Sequence, residues 1–371
     1  MISALELSVL LLPFVTLLVP LDMFDFLVSN AAGQLAIFAP IVLLPALATG
    51  HMAYVDIGWP AGLTLLGAKC LFTSVGHWPR RLLMGGALML HGGRMLLGAV
   101  VMFFPFRWEA DLPRYQYAKQ RYLRKPGRSE AGWPTKMAIE IIAQLLANVS
   151  ALASPAVLAA CDPTPQLNWL EIVGYAAWLA SWALEGLADT QKIAFQRRQQ
   201  RLKAEGKKAA TTPPVLGHPP HGGADYWLWA RCRHPNYFFE WAAWVSLSIA
   251  AAPCLLRLPM TTTARLGLAC ALYAAPRLMY ASLMYWTGAE PAEAFSVVRR
   301  PQYADYQART RVFWPFELPL VDHGRMRGWP RGADALAGGA QSGAPAPAAR
   351  PAAASARAAH SPARSGGRKV R

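Results

Sequence analysis

The sequence predicts an all-α, polytopic membrane protein: a helical bundle with about seven or eight transmembrane helices and a disordered C-terminal tail. Three observations carry this. Of 371 residues, 54% are hydrophobic and only 16% charged, against roughly 25% charged in a soluble globular domain. The apolar residues cluster in runs near 5–21, 33–50, 57–76, 82–104, 137–160, 167–188, 238–256 and 265–287, and a bilayer core takes about 20 apolar residues per helix. Lys/Arg-rich stretches separate the runs at intervals.

The first run is interrupted by Pro13 and Pro20 and has no basic residue ahead of it. It therefore reads as a retained span rather than a cleaved signal. Residues 1–53 form N-terminal spans, 54–320 the main membrane domain and 321–371 the tail. From Arg325 to Arg371 the chain has nine Lys or Arg, one acid (Asp334) and much Ala, Pro, Gly and Ser, a composition that buries no core. The tail supplies about half of the +16 formal charge. That charge suits anionic lipid headgroups or simple solubility, and no folded nucleic-acid motif accompanies it. The five cysteines are scattered without metal or disulfide spacing.

The polar stretches 107–136, 191–233 and 290 onward follow the fourth, sixth and eighth runs. They share one side, which the positive-inside rule makes cytoplasmic. Arg80 and Arg81 in an opposite turn are a mild exception. Between residues 197 and 223 a helix leaves the membrane and a Pro/Gly loop returns the chain. His218 and His221 in that loop have no acid or Cys beside them, so a plain loop fits them better than a metal pair.

Four constellations could carry chemistry. Glu185, Asp189 and Lys192 close the sixth run at i, i+4, i+7 spacing, on one helix face. They suit either a polar ligand or a helix-end salt bridge. Arg231-Cys232-Arg233-His234-Pro235-Asn236-Tyr237-Phe238-Phe239-Glu240 opens the seventh run. Pro235 fits a first helical turn, and a helix N-terminus flanked by Arg231 and Arg233 favours a phosphate. An interfacial anchor is the other reading. Arg299–Arg311 with Phe313-Trp314-Pro315-Phe316 suggests an amphipathic helix on the membrane surface. Asp56 and Arg94 are intramembrane charges, each costly when unpaired, and they could pair with each other. Glu290 and Glu293 complete the set. No G-x-G-x-x-G, P-loop or Ser-His-Asp signature is present.

These motifs together resemble the steroid 5-alpha-reductase-like membrane family. Arg233-His234-Pro235-Asn236-Tyr237 with Glu240 resembles its R-H-P-N-Y-x-G-E signature. Asp189-Thr190-Gln191-Lys192 with Phe195 resembles its D-x-Q-K-x-x-F helix end, and Arg114-Tyr115-Gln116 its R-Y-Q loop. Val55–Trp59 is similar to its early span. Arg300–Tyr303, Tyr306-Gln307, Arg309-Thr310 and Phe313–Pro315 are similar to its ending.

The resemblance implies a membrane-bound, NADPH-dependent reductase. Its reaction would reduce a carbon–carbon double bond conjugated to a carbonyl in a lipid-like or steroid-like substrate. By carry-over, Asp189, Asn236, Tyr237 and Glu240, with His234, hold the cofactor. Arg94, Lys192, Arg233 and Arg309 face its phosphates, and Tyr115 or Asp56 polarises the carbonyl. Such an enzyme belongs in the endoplasmic reticulum of a eukaryote or the inner membrane of a bacterium. Phe239 departs from the family's Gly, and the segment between Lys192 and Arg231 is longer than usual. Two other classes share part of the pattern: an S-adenosylmethionine-dependent membrane methyltransferase of isoprenylcysteine or phospholipids, using Glu290 and Glu293, and a non-catalytic relative.

Overall fold

A computed structural model describes residues 12–72, 75–104, 110–205 and 213–316. The expected tail and residues 5–11 of the first apolar run lie outside the described residues. The described chain is helical and has no strand, only one isolated bridge between Cys232 and Arg311. Five helices are long and apolar enough to cross a membrane: α1 Leu21–Thr49, α3 Trp78–Phe103, the broken segment Glu130–Cys161, α9 Pro235–Arg257 and the segment Thr262–Arg299. α2 (Val55–Phe72) and α7 (Trp169–Ala204) accompany them. These two carry charges within their length, Asp56 and Lys69 in α2, Glu171, Glu185 and Asp189 in α7, which lowers their hydropathy. The expected seven or eight runs thus correspond to five membrane-length apolar helices plus these two.

Helix boundaries differ from the apolar runs where polar side chains find partners inside the protein. α1 starts at Leu21 rather than near 33. Its buried Asn30 donates to Asn148 O (3.1 Å), and Gln34 donates to Gly62 O (2.8 Å). Burying an amide is tolerable only with such partners. A π segment at Phe38–Leu43 contains Pro40, whose missing N–H breaks the regular ladder. α1 ends at Gly50, whose φ of 75° closes the helix in the left-handed conformation.

The next turn is capped from a distance. Met52 and Ala53 donate their N–H groups to the Asp111 carboxylate at 2.7 and 3.1 Å. α4 (Pro113–Leu123) follows Asp111 and lies outside the spans. The fifth run is two helices, α5 (Trp133–Val149) and α6 (Ser154–Cys161), each with Pro in its first turn. α7 begins with a capping box between Asn168 and Glu171, then continues past the apolar run as expected. α8 (Trp227–Arg231) leads into α9. α10 (Thr262–Ala281), capped by Thr261, passes through a π turn to α11 (Ala289–Arg299) and then α12 (Tyr303–Arg309).

Small residues set the helix spacing. A Cβ on Gly67 of α2 would lie 2.6 Å from Gly85 O of α3, and one on Gly174 of α7 would lie 2.7 Å from Ala250 N of α9. Backbones this close gain van der Waals contact that lipid does not supply. At one end of the bundle four charged groups lock α3, α6, α7 and α9. Arg80 Nε lies 2.5 Å from Glu171 Oε1, and Arg257 Nη2 lies 2.6 Å from Asp162 Oδ2 and 3.0 Å from Glu171 Oε2. Glu171 and Asp189 are separated by about 27 Å of helix at 1.5 Å per residue, close to the hydrocarbon thickness of about 30 Å. The second polar cluster therefore forms at the opposite face.

Candidate functional site

The polar cluster at that opposite face gathers residues from α2, α3, α4, α7 and α9. Arg94 of α3 reaches two acids of α7: Nη1 donates to Asp189 Oδ2 at 3.1 Å and Nη2 donates to Glu185 Oε1. The i, i+4 spacing on α7 puts both carboxylates on the face that meets Arg94. Asn236, in the first turn of α9, donates to the other Asp189 oxygen at 3.1 Å. One turn further, Glu240 faces His91 of α3 (2.9 Å) and accepts from Trp244 Nε1 (3.1 Å).

Asp56 and Tyr115 meet beside this group. Tyr115 donates its phenol to Asp56 Oδ1 at 2.7 Å, and Arg114 Nη2 donates to Asp56 Oδ2. The expected pairing of Asp56 with Arg94 is thus corrected. Arg94 is held by Glu185 and Asp189, while the Arg-Tyr pair of α4 satisfies Asp56. Burial, then the Asp56 charge, pushes the Tyr115 phenol well above its ordinary value, so it stays protonated and a donor. Tyr237 links the halves: its phenol lies in the electrostatic reach of Arg114, Asp189 and Asp56. Lys192 lies in that of Asp189, Arg114 and Arg300, with its ammonium 5.6 Å from the Trp229 ring centroid.

Several groups here stay open to solvent. Side-chain exposure is 25% for Arg94, 37% for Asp189 and 36% for Arg114, whereas Asn236 Oδ1 is buried and has no hydrogen-bond partner among the described residues.

Other candidates are placed differently. Arg233 is buried with Glu293, its Nε 2.7 Å from Oε1, and also donates to Gln307 O and Thr310 O. His234 Nε2 is 2.8 Å from the same Glu293 oxygen, and its ring stacks on Tyr237 at 5.1 Å. Burial holds the His234 imidazole below its ordinary value. These two anchor α9 to α11 and α12 rather than presenting charge at the helix N-terminus. Arg309 is exposed on α12, and Arg231 lies over Trp227.

The expected surface helix is also corrected. Tyr303, Tyr306 and Phe313 are buried in the protein, and Tyr306 donates to Trp229 O. Their rings fill a cleft between α8, α9 and α11, so the amphipathic pattern serves the core. Phe239 is half-buried against the Trp229 and Phe313 clusters, facing protein rather than lipid.

Two participants escaped the sequence reading as site members: His91, and Arg114, which entered only as part of the R-Y-Q resemblance. His91 precedes Arg94 by three positions on one helix face inside an apolar run, and an intramembrane imidazole was itself the signal.

A family profile described as a protein of unknown function (DUF1295) matches residues 43–310. The chain belongs to this family. The match covers every candidate residue from Asp56 to Arg309. No curated protein and no solved structure matches the chain.

Chemically, the cluster offers a protonated phenol, accessible guanidinium groups, a carboxylate–carboxamide pair and a buried imidazole–carboxylate pair. That set can bind a polar, anionic ligand and polarise a carbonyl oxygen.

Proposed function

We propose that this chain is a membrane-bound, NADPH-dependent reductase of a carbon–carbon double bond conjugated to a carbonyl in a lipid-like or steroid-like substrate. The carrying observation is convergence. Asp56, Arg94, Tyr115, Asp189, Asn236 and Tyr237, drawn from separate motifs, surround one partly open region. Separate ion-pair roles for each motif would not require this meeting.

The residues fit a dinucleotide. Asp189 with Asn236 offers both acceptor and donor to hydroxyl or amide groups, and Asn236 keeps an oxygen free. Arg94, Lys192 and Arg114 supply positive charge for phosphates. When bound, the cofactor supplies a hydride for the β carbon. Tyr115 supplies the hydrogen bond to the carbonyl oxygen by turning its one proton from Asp56 towards the substrate, while Arg114 keeps Asp56 paired. A donor of this kind in a dry site stabilises developing negative charge. On the positive-inside argument the cofactor face is cytosolic, where reduced dinucleotide is available.

Methyl transfer from S-adenosylmethionine has less support. Glu293 is consumed by Arg233 and His234, and Glu290 accepts from Tyr117 at 2.8 Å, so neither is free to serve a cofactor.

The test is thermal stabilisation of the purified chain in detergent by NADPH, NADH or S-adenosylmethionine. A ligand at about 100 times its Kd adds roughly 2.7 kcal/mol. A shift with NADPH that Asn236→Ala abolishes is the expected result. A shift with S-adenosylmethionine alone would replace this reading with methyl transfer, and no shift with any ligand would favour a non-catalytic role.

A further inference from the structure

Three helices bring a histidine and two glutamates together beneath the dinucleotide-facing groups. His91 comes from α3, Glu185 from α7 and Glu240 from α9. All are buried, at 1%, 5% and 5% exposure. One ligand atom from each lies within 4.8 Å of the others.

Glu240 has His91 and Asp189 has Lys192 within reach, whereas Glu185 shares Arg94 with Asp189 and has no cation of its own. Buried carboxylates in a bilayer need a counter-charge. Glu185 places one oxygen on Arg94 and leaves Oε2 buried with no partner among the described residues. Glu240 spends Oε1 on both His91 and Trp244.

The ligand geometry suits an ion. Two ligand atoms about 2.1 Å from one tetrahedral cation are about 3.4 Å from each other. His91 Nε2 and Glu240 Oε1, 2.9 Å apart in a hydrogen bond, would part by about 0.5 Å to admit the ion. Glu185 brings a carboxylate oxygen within 4.8 Å of both as the third ligand. One imidazole with two carboxylates selects a transition-type divalent ion, since imidazole suits zinc and its neighbours while magnesium prefers oxygen alone.

We propose that His91, Glu185 and Glu240 form an intramembrane site for one divalent cation of the zinc class, which ties α3, α7 and α9 together. The cation supplies positive charge to the Glu185 and Glu240 carboxylates and joins the three side chains in a cross-link. The site takes Glu240, which the resemblance gives to the cofactor, through the oxygen that faces His91, and leaves Asp189 and Asn236 to the dinucleotide.

The experiment uses the full-length chain in detergent, stripped with a chelator and titrated with Co²⁺ as a spectroscopic probe, then with Zn²⁺ and with Mg²⁺. The expected result is saturable uptake of about one Co²⁺ per chain with visible ligand-field bands. Zn²⁺ should displace the Co²⁺ and raise the melting temperature, whereas Mg²⁺ should do neither. His91→Gln and Glu240→Gln should lose the bands. Asn236→Ala should keep them while losing any NADPH shift, which separates this site from the cofactor reading. Absence of bands from the wild-type chain overturns the proposal whatever the variants do. Bands that persist undiminished in both variants also overturn it, placing the ion elsewhere, for example on His218 and His221.

Discussion

Tyr115 shows how one residue's role depends on its partners. Its phenol is buried, protonated and already donating to Asp56. On the proposed reductase reading, Tyr115→Phe should lower the turnover of an enone substrate by about 10²–10³-fold, the usual loss for one oxyanion donor, and leave any NADPH-induced thermal shift in place. Loss of both together would make Tyr115 a structural residue. Glu293 carries the opposite expectation. It is fully buried and serves Arg233, His234 and Gln307. Glu293→Gln should cost about 3–5 kcal/mol, because it leaves the Arg233 guanidinium buried without its counter-charge. Thermal denaturation in detergent measures that loss. The sequence had marked Arg233, His234 and Glu293 as polar residues needing a reason. It could not say that they satisfy one another, since about sixty positions separate them.

Among the elements, α2 and α3 are held by glycine. Gly67→Val should destabilise the bundle severely, because the new Cβ meets the Gly85 carbonyl, which belongs to another backbone and cannot move aside. Gly86→Ala, with nothing within 4 Å, should be neutral or slightly stabilising through helix propensity. Comparison of their melting temperatures checks both.

The knot joining α3, α6, α7 and α9 gives a pH dependence. Burial alone would raise the Asp162 carboxyl, but the Thr164 hydrogen bonds, Arg257 and Arg80 outweigh it and hold it below its ordinary value of 3.8. A carboxylate depressed in the folded state stabilises above its unfolded pKa and loses that contribution as pH falls through the folded value. Melting temperatures should therefore fall on acidification below about pH 4, and Asp162→Asn should flatten that part of the profile. The individual helices were legible from the apolar runs and, for α9, from Pro235 in the first turn. Their ends were not, because Asn30 and Gln34 look like interruptions until Asn148 and Gly62 supply partners.

For the whole molecule, the two ionic clusters lie at opposite faces, and the positive-inside rule predicts that the Asp189–Asn236 face is the cytosolic one. Single cysteines introduced at Lys203 and Thr164, in a Cys270→Ser background, test this with a membrane-impermeant maleimide on sealed cells. Label at position 164 but not at 203 is the expected pattern, and the reverse would invert the orientation. The sequence by itself determined the membrane class, the helical content and which polar residues needed explanation, because hydropathy and local spacing are properties of neighbours along the chain. Only the tertiary structure decided that Arg94 belongs to Glu185 and Asp189, that Asp56 belongs to Arg114 and Tyr115, and that the Tyr303–Phe313 pattern lies in the core. Each of these rests on contacts between residues far apart in the chain, where a buried charge is stabilised by whichever partner the packing brings near, and no local rule names that partner.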